Sequence, residues 1–340
     1  MRRTPMTRRE AVGALGAAAL ATLPASAFPN GGSQLAPRPD ARVPSRVGLV
    51  LCSDYGPETL REALRAGWKA SRPPDVRGKR VVIKPNLADF SPDRPIHTDA
   101  RLVEALVEHL KALEARTIVL AEGPPHNRDT ELLFRRTGFE AVAKRQDIAL
   151  IDLNYDDSRP VRNPNPRASI LREFHVPETV LSAEVLISVP KMKTHRFAGV
   201  TLSLKNMFGI LPGMIYGWPK NVLHWNGIPQ SICDINGTVK THFSIIDGVV
   251  GMEGYGPILG TARKAGVLVM GDSALAADAT AARIMGVEPG LVEYMALAQR
   301  AGLGSLRGQD ISVVGERVER VRTEFALDPE FAFMRPQRSR

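Results

Sequence analysis

Short apolar runs rich in Val, Ile and Leu alternate along this chain with longer stretches whose apolar residues recur every three or four positions. The first kind predicts strands at 47–52, 80–83, 117–121, 148–153, 185–189, 243–246, 266–270 and 311–314. The second predicts helices at 58–70, 99–113, 130–145, 201–208, 228–239, 274–285 and 291–301. The clearest is 99–113, where Leu102, Val103, Leu106, Val107, Leu110 and Leu113 share one face and Thr98 is the expected N-cap. Such alternation predicts an α/β fold with a largely parallel, mixed sheet and helices on both faces. A polar stretch at 154–168 marks a candidate division into two lobes.

The N-terminus reads as an address rather than as part of the fold. Arg8 and Arg9 precede an uncharged run from Ala11 to Leu23, which ends in Pro24-Ala25-Ser26-Ala27. This order of basic pair, apolar run and small-residue cleavage site is that of a twin-arginine export signal. Residues 1–27 are therefore expected to be the signal, with the twin-arginine translocase as partner and a periplasmic location. A Pro-, Gly- and Ser-rich linker is expected at 28–44, an α/β domain at 45–316 and a charged tail at 317–340. Within that tail, Phe325, Phe331 and Phe333 are candidates to dock on the body. The apolar run is too short to span a bilayer, and no later segment is long enough.

Charge narrows the function class. Removing Arg2, Arg3, Arg8, Arg9 and Glu10 takes away net +3 and leaves +6 of the formal +9. No basic stripe with interleaved aromatics is present, so nucleic acid is excluded as a partner. The two cysteines, Cys52 and Cys233, read equally well as a disulfide or as buried thiols.

Ionisable residues gather just after the predicted strands. Lys84 and Asn86 follow one, and Glu122 ends the next. Lys191, Lys193 and His195 follow a third, Asp247 a fourth and Asp272 a fifth. In a parallel sheet these strand ends share the edge at which α/β proteins bind ligands. In extended backbone Lys191, Lys193 and His195 project to one side, and three such groups call for an anion or for carboxylates. Lys205 and Asn206 sit in the predicted helix after Gly199. His97, at the entrance of the best helix, is expected to be held neutral by the helix dipole, as a general-base candidate. The segment from Asp247 to Pro257 reads as a glycine-punctuated loop, with Gly254 and Gly256 able to approach a ligand closely. His195, Asp247 and Glu253 lack the dense spacing of a metal site, and none is assigned.

The phrases Val82-Ile83-Lys84-Pro85-Asn86, Pro190-Lys191-Met192-Lys193-Thr194-His195, Thr201 to Gly209 and Gly251 to Pro257 resemble the signature of the domain of unknown function 362 family. The resemblance runs from about Arg80 to Gly286 and includes Gly271-Asp272 and Asp278. It implies one α/β domain without a defined activity. Many relatives carry ferredoxin-like iron–sulfur modules, which implies redox chemistry, whereas two cysteines cannot hold a four-thiolate cluster and none is expected here.

The reading from residues is thus a polar cleft for an anionic small molecule or an unidentified cofactor. As a redox or acid/base enzyme, it would use His195 or His97 to move protons, with Asp247 or Glu253 orienting them. Lys84, Asn86, Lys191, Lys193, Lys205, Asn206, Gly254 and Gly256 would hold the ligand. The alternative is a non-catalytic periplasmic binding protein for an acidic small molecule.

Overall fold

A computed structural model describes residues 44–125, 129–165 and 168–336. The expected export signal, and all but the last residue of the expected linker, lie outside them. The strands are β1 (Ser45–Leu51), β2 (Arg80–Pro85), β3 (Thr117–Glu122), β4 (Ala149–Asp152), β5 (Ser158–Arg162), β6 (Glu173–Pro177), β7 (Val185–Val189), β8 (Lys191–His195), β9 (Gly199–Thr201), β10 (Phe243–Glu253), β11 (Thr261–Gly271) and β12 (Ile311–Gly315). Among the described residues the main sheet has the order β12-β1-β11-β10-β7-β2-β3-β4, with β8 on β10 and β9 on β8. All neighbours along the main order are parallel except β11, which is antiparallel to both β1 and β10.

Side-chain alternation along the strands builds two cores. Val82, Val119, Leu186, Ile246 and Val269 face one apolar layer, together with the helices Ile228–Thr238, Ala274–Ile284 and Glu293–Arg300. Val81, Ile83, Ile118, Ile187 and Leu268 face the other, under Pro57–Ala70 and Ala100–Ala112. Both faces of the sheet are therefore covered, as its near-continuous apolar strands require. The described residues from Pro44 onward fall in one compact unit.

Several local expectations are corrected. Asp99, not Thr98, caps the helix Ala100–Ala112 by accepting from the Arg101 amide. The Thr98 hydroxyl instead donates to the Val189 carbonyl and accepts from the Asn86 amide, tying together two loops at the functional edge. The helix expected over 130–145 is two, Thr130–Thr137 and Phe139–Arg145, because Gly138 turns at φ +83°. The 154–168 stretch contains β5, which forms a two-stranded antiparallel pair with β6. The stretch expected as a glycine loop after Asp247 is strand as far as Glu253, because β8 packs closely on the glycines of β10. A Cβ on Gly251 would lie 2.6 Å from the Met192 carbonyl.

The antiparallel course of β11 overturns one further expectation. Gly271 pairs with Ser244, at the beginning of β10, so Asp272 lies at the opposite edge from Asp247. There it accepts from the Arg46 amide and pairs with Arg72, away from any candidate site.

Candidate active site

At the carboxyl edge of β2, β3 and β7 the structure opens a cavity of about 1090 Å³. That is at or above the roughly 300–1,000 Å³ typical of small-molecule pockets. Lys84, Asn86 and Glu122 come from the ends of β2 and β3, and Lys193 and His195 from β8. Lys205, Asn206 and Gly209 come from the short helical segment after β9. Gly256 to Leu259 form the turn between β10 and β11, and Asp328 to Glu330 bring in the C-terminal segment.

One end of the cavity is a closed polar network. Lys84 donates to Glu122 Oε1, to the Pro85 carbonyl at 2.9 Å and to Asn206 Oδ1 at 3.1 Å. Asn206 in turn donates to the Lys84 carbonyl and to Ser188 Oγ, both at 3.0 Å. Both partners of the Lys84–Glu122 ion pair are out of solvent. Burial draws the Lys84 ammonium down and pushes the Glu122 carboxyl up, and the charge of each partner opposes the shift of the other. Among the described residues Glu122 Oε2 and Asn86 Oδ1 are buried acceptors without a donor, and Thr201 Oγ1 is a buried hydroxyl without a partner; all three residues line the cavity.

The other groups are cationic or poised near neutrality. Lys193 donates to the Ile96 carbonyl at 2.6 Å and to the Pro257 carbonyl at 3.3 Å. Burial, then the charges of Lys205 and Lys191, hold its ammonium well below the ordinary lysine range. The Lys205 Nζ lies 4.2 Å from the centre of the Phe208 ring. Burial and the neighbouring Lys84 charge lower its pKa to about 7. His195 Nδ1 accepts from the Phe197 amide at 3.1 Å, which leaves the proton of the neutral ring on Nε2. Burial and the Lys205 and Lys193 charges hold it neutral. Among the described residues no carboxylate lies within ion-pair distance of Lys193 or Lys205.

Two supports could not be read from spacing. Asp278 accepts from the Ser203 amide at 2.7 Å and the Leu204 amide at 2.9 Å, anchoring the segment that carries Lys205 and Asn206. Lys220 stands behind the wall, donating to the Gly123 and Gly209 carbonyls. Its pKa is lowered to about 7, chiefly by burial. The one sequence signal for it is that it is the only lysine or arginine between Lys205 and Lys240, inside an otherwise apolar and aromatic stretch.

Of the expected site residues, Lys84, Asn86, Lys193, His195, Lys205, Asn206 and Gly256 meet at the cavity; His97, Lys191, Asp247, Glu253 and Gly254 do not line it. Lys191 lies 2.5 Å from Asp247 Oδ2 and 2.8 Å from the Tyr55 hydroxyl, and Tyr55 donates to Asp247 Oδ1 at 2.8 Å. This buried triad satisfies itself. Lys191 parts from Lys193 because the β8–β10 register jumps: Lys191 is opposite Asp247, but Lys193 is opposite Met252. His97 packs between Phe90 and Phe139, with its pKa lowered to about 4 by burial and the Lys191 charge. Glu253 accepts from the Ala326 amide, and the Gly254 amide donates to the Ala326 carbonyl. Those two residues clasp the C-terminal segment. Cys52 and Cys233 are both buried free thiols.

The family described as Domain of unknown function (DUF362) matches residues 81–283, and the chain belongs to it. The chain is 25% identical over 241 residues to the thylakoid-associated protein sll1697 of Synechocystis sp., covering 66% of this chain and 69% of that protein. Among solved structures it is similar to the lactate racemase apoprotein from Thermoanaerobacterium thermosaccharolyticum, at a TM-score of 0.41 and 15% identity. It is also similar to a protein from Thermotoga maritima, at 0.42 and 12%. The matches cover 66% and 74% of this chain, and 55% and 59% of those two.

Proposed function

Because membership of that family carries no defined activity, we propose a function from the cavity itself: the chain binds an anionic small molecule and acts on it by proton transfer. The observation that carries this is the placement of two lysines on a wall whose lysine and arginine side chains equal its carboxylates in number. Among the described residues Lys193 and Lys205 reach the cavity with no carboxylate in ion-pair distance, while Glu122 is already held by Lys84. Cationic groups confined together repel unless an anion joins them, and a carboxylate or phosphate suits both the amines and the Nε2–H of His195. Proton transfer is favoured over passive binding because Lys205, with a pKa of about 7, exchanges a proton readily at neutral pH.

The test is a thermal-shift titration of the full chain with inorganic phosphate, sulfate, succinate and malate. At least one is expected to raise the melting temperature in a saturable way, with the effect lost in Lys193→Met. If none does, the binding reading fails. A surviving shift in His195→Ala, with no proton exchange detectable on any bound anion in the parent chain, would leave the non-catalytic binding protein as the function.

We also propose that Arg8-Arg9 and the apolar run to Ala27 direct export to the periplasm by the twin-arginine translocase. No helix among the described residues is long and apolar enough to cross a membrane. A reporter fused after residue 40 is expected to reach the periplasm and to be retained in the cytoplasm by Arg8→Lys with Arg9→Lys. Export that persists in that variant would overturn the route.

A further inference from the structure

We infer that Lys205 is a nucleophilic amine that forms an imine with an anionic aldehyde or ketone bound in the cavity. The inference deepens the proposed anion site and rests on it, since the anionic group is what would seat the carbonyl.

The cavity lysines are not equivalent. Lys84 is engaged by a carboxylate, a carbonyl and an amide oxygen. Lys193 is pinned by two backbone carbonyls. Lys205 makes no hydrogen bond among the described residues; its Nζ lies over the Phe208 ring, and the residue lines the cavity. Three acceptors around Lys84 engage all three N–H of an ammonium, which has no lone pair, and the two carbonyls fix the direction of Lys193, whereas Lys205 is free to turn its nitrogen towards a bound electrophile.

Its surroundings also keep it in the reactive form. With a pKa of about 7, far below the ordinary lysine range, the neutral amine is a major form of Lys205 at pH 7. An ordinary lysine near pKa 10.4 holds fewer than about one in 10³ in that form. The same neighbours serve the anionic half of the ligand, because Lys193 and the Nε2–H of His195 share the cavity wall.

The chemistry balances without a further reactant. The Lys205 nitrogen attacks the carbonyl carbon, and one amine proton moves to the oxygen to give a carbinolamine. The C–O bond then breaks, the second amine proton leaves with the oxygen as water, and a C=N bond remains. Nothing is oxidised or reduced.

The experiment incubates the full chain separately with glyoxylate, pyruvate and pyridoxal phosphate, with and without sodium borohydride, followed by intact-mass measurement and peptide mapping. The first two place the carbonyl beside a carboxylate, and the third places it near a phosphate, so the arms distinguish the anion. A single borohydride-dependent adduct on Lys205 is expected, at least about ten-fold above the mean surface lysine, as its larger neutral fraction requires. It should be suppressed by excess phosphate or succinate and absent in Lys205→Arg, whose melting temperature reports that it folds. Labelling spread evenly over surface lysines, or no reducible adduct with any of the three, overturns the inference. If anions still stabilise the chain in that case, the anion site stands and only the imine falls. If they do not, both fall together.

Discussion

Glu122 receives the Lys84 ammonium at the meeting of two parallel strands, 38 positions apart in sequence and with neither side chain in contact with bulk solvent. Gly209 lies directly over the pair. A Cβ there would come within 2.7 Å of Lys84 Nζ, so the pair and the glycine require one another. Removing one partner of such a pair strands the other in a dry site, at a cost of about 3–5 kcal/mol. Glu122→Gln is therefore expected to lower urea-unfolding stability by about that much. Pairing it with Lys84→Met should recover a large part of the loss. Additive losses in the double variant would show that the two side chains do not act as a pair.

The Lys205 amine sets a pH dependence whose sign can be worked out. Its pKa is about 7 in the folded chain, and a lysine in the unfolded chain titrates near 10.4. Between those values the unfolded chain binds more protons, so this group's contribution to stability rises with pH from about 7 towards 10 and is least below 7. An anion relieves that strain only while the ammonium is present. Stabilisation by phosphate or succinate should therefore be greater at pH 6 than at pH 8.5, and Lys205→Met should flatten the difference. Melting curves across this range check both signs.

Glu330 stands exposed at the cavity mouth and opposes an incoming anion. Neutralising it in Glu330→Gln should tighten anion binding by about two- to three-fold at low salt, with the gain fading as salt screens it. Titration calorimetry at two ionic strengths would show this. An unchanged affinity at low salt would remove the C-terminal segment from the site's electrostatics.

Phe325 anchors that segment. It is wholly buried, and its ring lies against Gly251, while Phe333 is 61% exposed and makes no comparable anchor. Phe325→Ala is expected to cost about 3–5 kcal/mol and to weaken anion binding by loosening Asp328 to Glu330 at the cavity. Unfolding and binding measured on the same variant separate the two effects. Full stability would mean that the segment does not depend on this ring.

The apolar periodicities were enough to determine that the protein is a layered α/β fold, because burial on both faces of a parallel sheet demands near-continuous apolar strands flanked by amphipathic helices. They also pointed to Lys84, Asn86, Lys193 and His195, since strand ends in such a sheet converge on one edge, while Lys205 and Asn206 were read from the helical stretch after Gly199. What the tertiary structure alone decided was which neighbours share a space. The direction of β11, set by its hairpin with β10, carried Asp272 to the far edge. The register jump between β8 and β10 sent Lys191 to Asp247 and Tyr55, away from Lys193. Lys220 reached the back of the site through a loop with no periodicity to read. Periodicity records how each segment faces the core. Pairing direction, bulges and loop paths depend on contacts between distant segments, and no local pattern encodes them.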